Sequence, residues 1–167
     1  ELAARIATGG ARRVGVFVNE SAERIAEIAR IAGLDTAQLH GDAIADYPAH
    51  IAIWKARQVT AVFKISPDTA ANAEAMLLDG PAGELYGGAG RTFDWALARA
   101  AALRIVIAGG LDASNVAQAI SIASPWGVDA CSRLEAAPGK KDHAKMQAFI
   151  QVALQAAFQA AREAITL

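Results

Sequence analysis

Asp79 closes the apolar run "EAMLLDG", and a carboxyl group at the end of a buried strand has the makings of an acid. Partial desolvation disfavours its charged form, so it could protonate a leaving or ring oxygen near neutral pH. A structural cap is the competing role. In "IAGGLDASNV" two adjacent glycines, Gly109 and Gly110, end another apolar run, and a helix is expected to begin near Asp112 or Ser114. Amides without side chains can wrap a phosphate at such a junction, whereas a tight turn with nothing bound is the alternative. A third stretch, "VDACSRLEAAPGKKDH", holds the single cysteine, Cys131, with Asp129, Ser132 and Arg133. No histidine adjoins Cys131 to generate a thiolate, so its expected part is positional. His40 in "AQLHGD" stands at a strand end, where an imidazole is as often a hydrogen-bonded core group as a ligand contact.

Other chemistry is disfavoured by spacing. No pair of histidines lies at metal-ligand spacing, so no metal is expected. The loop "YGGAGRT" (86–92) fails as a P-loop: Leu85 stands where the first glycine belongs and Arg91 replaces the lysine. It also lacks the third glycine of a dinucleotide fingerprint, which leaves an ordinary turn or a lid.

These residues need elements to hold them at strand ends. "RRVGVFVN" (12–19) reads as a first strand and is followed by a helix capped by Ser21, running to Ala32 and stopped by Gly33. Further strands are expected at 35–41, 51–59, 74–80, 103–110 and 127–132. A weak helix is expected through His50, a short one at 67–74, one capped by Thr92, one at 113–124, and a closing helix from Lys140 to about Ile165. Alternating strands and helices imply an α/β fold with parallel strands, either a doubly wound sheet or a (β/α)₈ barrel. The polar and glycine residues at the strand ends favour the barrel, of which about six βα units are counted.

The totals agree with one packed domain over residues 1–167. Of the 167 residues 54% are hydrophobic and 20% charged, too apolar for a disordered tail. Sixteen basic against seventeen acidic residues leave a net charge of −1, with no basic stripe for nucleic acid. No apolar run reaches the roughly 18 residues of a membrane span. A lone cysteine forms no internal disulfide, which suits the cytoplasm.

In order along the chain, "VGVFVNES", "AQLHGD", "LLDG", "YGGAGRTFDW", "IAGGLDASNV" and "VDACSRLEAAPGKKD" resemble the phosphoribosylanthranilate isomerase family, (β/α)₈ barrel enzymes of tryptophan biosynthesis. The resemblance implies an Amadori rearrangement of a phosphorylated small-molecule substrate, with a general acid opening the sugar ring, a general base removing the C2′ proton, and no cofactor. The family's general acid falls on Asp79. Its phosphate-binding amides fall on Gly109 and Gly110 and on Cys131, Ser132 and Arg133, and its site-lining histidine and aspartate on His40 and Asp129. The family's base, in a Cys-Gly-Ile-Thr stretch on the first strand, has no counterpart in this sequence, nor has the arginine that binds the anthranilate carboxylate. Many members have Ser-Gly where Ser132-Arg133 stands, so a side chain occupies the place of a bare amide. The expectation is a TIM barrel represented by strands three to eight, without its first βα units and inactive as these 167 residues alone. A non-catalytic phosphate-binding barrel remnant is the alternative, and monomer and homodimer remain open.

Overall fold

A computed structural model describes residues 10–41, 51–60, 65, 71–80, 92–99 and 103–165. The expected helix through His50, most of the one at 67–74, and the glycine-rich loop at 81–91 lie outside the described residues. The chain divides into two compact units, Glu1–Arg57 with Ser66–Met76, and Gln58–Ile65 with Leu77–Leu167.

In the first unit, β1 (Val14–Val18), β2 (Thr36–His40) and β3 (Ala52–Gln58) lie side by side in chain order. Both pairings are parallel, with Val14 opposite Thr36 and Thr36 opposite Ala52. The crossover from β1 to β2 is helix α1 (Ala22–Ala32). Ser21 Oγ accepts from the Arg24 amide at 3.2 Å, supplying one of the acceptors a helix start lacks. At the other end Gly33 turns left-handed, with φ 62°, and its N–H returns to Ala29 O. Ile25 and Ala29, four residues apart, face inward. Ile25 joins Phe17, Ala37, Leu39 and Ile53 in the core, with Ile28, Leu34 and Ile51 against it. On β1 only Phe17 is buried: Val14, Val16 and Val18 alternate with Gly15 and Phe17 and are 37%, 61% and 48% exposed.

The boundary between the units falls inside β4 (Ala75–Asp79), whose first four residues are all buried. The second unit continues through β5 (Ile105–Ile107) and β6 (Gly127–Val128), again in chain order. Ala108 N donates to Leu78 O, and β5 pairs in parallel with β6, Ile107 opposite Val128. Neither unit contains the reversal of strand order that defines a doubly wound sheet. Helix α2 (Ala96–Arg99) precedes β5, α3 (Val116–Ala123) joins β5 to β6, and α4 (His143–Ile165) closes the chain. Val116, Ala119, Ile120 and Ala123 form the buried face of α3, at the spacing of one helix side.

Three expectations need correction. The strand expected over 127–132 stops at Val128, because its partner β5 ends at Ile107 and turns away through left-handed Gly109 and Gly110. Residues 132–134 form a 3-10 turn instead, followed by a hairpin of β7 (Glu135–Ala137) and β8 (Lys140–Lys141) around Pro138-Gly139. The closing helix consequently starts at His143 rather than Lys140, capped by Asp142 Oδ1, which accepts from the Ala144 and Lys145 amides. Before α2 the cap is not Thr92 but Asp94, whose Oδ1 accepts from Ala96 N at 3.0 Å.

Candidate functional site

Seven of the eight residues singled out from the sequence meet in the second unit. Asp79, Gly109, Gly110, Asp129, Cys131, Ser132 and Arg133 line one small cavity of about 50 Å³, with Ala108, Leu111 and Ala130. Strand pairing brings them together: Asp79 ends β4, Gly109 and Gly110 follow β5, and residues 129–133 follow β6. All three segments therefore leave the sheet at the C-terminal ends of their strands, where a parallel α/β sheet places ligands.

Contact is closest between the first two segments. Gly109 has φ 85° and Gly110 φ 65°, two successive left-handed residues. A Cβ on Gly109 would collide with the Gly80 amide nitrogen and lie 2.6 Å from Asp79 Oδ1 and 3.0 Å from Gly80 Cα. The loop after β5 thus lies directly on the carboxyl group that ends β4, and only glycine allows that approach. Asp79 is half-buried, and its backbone oxygen accepts from Val59 N at 2.9 Å.

Asn115, whose type and position announce no chemistry in the sequence, shapes the β5 loop. Its Nδ2 donates to Gly110 O at 2.8 Å and its Oδ1 accepts from Asp112 N at 2.9 Å. Asp112 in turn accepts from the Ser114 amide and hydroxyl through Oδ1 and from Arg133 Nη1, at 3.2 Å, through Oδ2. Those bonds hold its carboxyl below the usual carboxylate range, the Ser114 hydroxyl first, against the opposing pull of burial, with Arg133 assisting. A depressed carboxylate pKa means the favourable interaction is complete above the unfolded-chain value and is lost as pH falls through the folded one. The Asp112–Arg133 tie is therefore fully formed at neutral pH. Asp112, Ser114, Ser132 and Arg133 also border a wider, open depression of about 520 Å³ with Lys145 and Ala148 of α4.

Cys131 is exposed, and Lys141 Nζ approaches its sulfur at 3.2 Å and its backbone oxygen at 2.8 Å. The same ammonium pairs with Glu135 Oε1 at 2.8 Å, which raises the Lys141 pKa, with Cys131 contributing less. His40 belongs to the first unit. It ends β2 with its Nε2 2.9 Å from Gln38 Nε2, and its backbone oxygen accepts from Asn19 N. No group of three or more His, Cys, Asp or Glu able to hold a metal occurs among the described residues.

The family model described as N-(5′-phosphoribosyl)anthranilate (PRA) isomerase matches residues 1–152. The N-(5′-phosphoribosyl)anthranilate isomerase of Solibacter usitatus is 62% identical over 154 residues, covering 92% of this chain and 77% of that protein. The enzyme of the same name from Pelobacter propionicus is 42% identical over 153 residues, covering 89% of this chain and 73% of that protein. A solved structure of mutually generated monomers of the dimeric Thermotoga maritima phosphoribosylanthranilate isomerase superposes with a TM-score of 0.71 at 35% identity, over 92% of this chain and 78% of that one. A phosphoribosylanthranilate isomerase solved in complex with reduced 1-(o-carboxyphenylamino)-1-deoxyribulose 5-phosphate matches with a TM-score of 0.68 at 30% identity, over 92% and 76%.

Proposed function

The chain belongs to the N-(5′-phosphoribosyl)anthranilate isomerase family, and from that premise we propose how its residues serve the isomerisation of N-(5′-phosphoribosyl)anthranilate in tryptophan biosynthesis. The observation that carries the assignment is the packing of left-handed Gly109 onto the Asp79 carboxyl, in a cavity shared with residues 129–133. It sets a candidate proton donor against a loop whose bare backbone suits a phosphate.

In this reading Asp79 is the general acid. It protonates the ring oxygen of the aminoaldose, the C1′–O bond opens, and the iminium formed loses its C2′ proton to a base, giving the enol amine that becomes the aminoketose. No described residue is assigned to that base. Gly109 and Gly110 on one side and the backbone of Cys131, Ser132 and Arg133 on the other hold the 5′-phosphate, with Asp129 at the cavity edge. The family resemblance also gives His40, at the end of β2, a part in binding the substrate. The family also supports a (β/α)₈ barrel in which β1 to β6 are six of the eight strands, working as a monomer or homodimer. No described helix is long and apolar enough to cross a membrane, and a cytoplasmic place of action fits the lone cysteine.

The test is a titration of the ¹⁵N-labelled protein with inorganic phosphate and, separately, with the aminoketose product. Shifts of the Gly109, Gly110 and Ser132 amides that saturate with either ligand support the reading; amides that stay unmoved with both refute the phosphate assignment. Cys131→Ser serves as the companion variant. Because the sulfur's assigned part is positional, phosphate affinity is expected to change less than about twofold, well under the tenfold that 1.4 kcal/mol represents. A loss of binding with Cys131→Ser would return the thiol to the chemistry.

A further inference from the structure

We propose that Asn115 and the Asp112–Arg133 ion pair are positioning groups that hold the two phosphate loops in one arrangement, an inference that rests on the phosphate reading above. The loop after β5 contains two consecutive left-handed glycines, Gly109 at φ 85° and Gly110 at φ 65°. Glycine makes this shape accessible but loses more backbone freedom than any other residue when fixed in it, so something must supply the restraint. The Asn115 carboxamide does so from both of its ends, donating to Gly110 O and accepting from Asp112 N. Aspartate lacks the donor, a serine hydroxyl is too short to span both groups, and glutamine adds a methylene that displaces the amide plane. Asn115 is itself anchored, since its N–H and that of Val116 both donate to Asp112 O as α3 begins.

Asp112 then carries the restraint to the neighbouring loop. Its Oδ1 is occupied by Ser114, and its Oδ2 receives Arg133 Nη1 at 3.2 Å. One end of this tie sits in the segment after β5 and the other in the turn after β6, and both segments line the same cavity. The Arg133 guanidinium is thereby directed to a carboxylate, a role different from the phosphate ligand that its sequence position invites. The Asp112 and Arg133 side chains are 22% and 48% exposed, and pairs this wet contribute little to folding stability. Their effect is consequently expected on the affinity of the cradle and not on the unfolding temperature.

The experiment measures inorganic phosphate affinity from the Gly109, Gly110 and Ser132 amide shifts, with the thermal midpoint as a parallel readout. Asn115→Ala is expected to weaken phosphate binding by about tenfold, as two lost hydrogen bonds allow, and to broaden the Gly109 and Gly110 amide signals. Asn115→Asp, which keeps the acceptor and loses the donor, should fall at least as far. Asp112→Asn preserves the acceptor used by Ser114 while removing the ion pair, and Arg133→Gln removes it from the other side. Each is expected to weaken binding by roughly threefold, and the double variant by no more than either single one. If Arg133→Gln still weakens binding tenfold in the Asp112→Asn background, or if Asp112→Asn tightens binding, Arg133 is a direct phosphate ligand and the tie is overturned. Unchanged affinity and sharp glycine signals in Asn115→Ala overturn the loop restraint. An unsubstituted protein whose three amides ignore phosphate overturns the phosphate reading itself, a result distinguishable from the other two.

Discussion

Gly109→Ala is expected to lower the thermal midpoint by roughly 5–10 °C and to reduce turnover at the same time. Two separate costs act at this position. The φ of 85° lies in the left-handed region, where a residue with a Cβ is strained by roughly 1–3 kcal/mol. The new methyl would also meet the Gly80 backbone, which cannot rotate out of the way as a flexible side chain would, and the Asp79 carboxyl 2.6 Å away. A total of about 2–3 kcal/mol corresponds to the stated shift in a chain of this size. Relief of the collision must move β5's loop or Asp79, and either movement separates the groups assigned to acid catalysis and phosphate binding. Gly139 provides the internal comparison: it is left-handed at φ 75°, but a Cβ there meets nothing within 4 Å. Gly139→Ala should therefore show the smaller midpoint shift that strain alone produces and leave turnover unaffected. Circular dichroism melts on the two variants, and steady-state kinetics with each substitution placed in a form of the protein that turns the substrate over, check the comparison. Equal behaviour would mean that the Gly109–Asp79 contact has no consequence for the site.

Asp79→Asn is expected to reduce kcat by about 10² to 10⁴, the range supplied by a positioned proton donor. The change keeps the shape that packs against Gly109, so the cavity should persist, with the thermal midpoint within a few degrees and phosphate affinity unchanged. That separation matters because it distinguishes loss of a proton donor from loss of the site. The measurement is steady-state isomerisation of phosphoribosylanthranilate, made in a form of the protein that turns the substrate over, alongside phosphate titration, each referred to the same form without the substitution. A kcat within fivefold of the reference would remove Asp79 from the acid role, whereas parallel losses of kcat and phosphate affinity would assign it to the structure of the loop.

The strands most easily read from the sequence were those whose apolar runs reflect burial on both faces, as in "AMLLD", where Ala75, Met76, Leu77 and Leu78 are all buried. Helix α1 was equally legible, because Ser21 and Gly33 act through their own backbone neighbourhood. Legibility failed where an end is set by a partner distant in the chain. "GVDACS" has the composition of a longer strand, yet pairing ceases at Val128 because β5 has already left the sheet. The hairpin at Glu135–Lys141 is local, but strands of three and two residues are too short to show an alternating pattern, and it displaces the start of the last helix to His143.

For the site, Asp79, Gly109 and Gly110 could be found as strand-end residues of suitable chemistry, whereas the roles of Asn115 and Arg133 required knowing which loops become neighbours. The spacing of Asp112, Ser114 and Asn115 at the mouth of a helix was the available local signal. That spacing points to a helix start, and the same residues carry the hydrogen bonds of the loop.

The valines of β1 have a consequence for handling the protein. "VGVFV" is β-branched and aromatic, uncharged and free of proline, with Val14, Val16 and Val18 exposed. Such a five-residue run, laid bare whenever the chain unfolds, is of the kind that seeds ordered aggregates. Refolding and storage at high concentration will consequently be limited by this run rather than by the near-neutral net charge, and a lysine at position 16 is the simplest way to interrupt it.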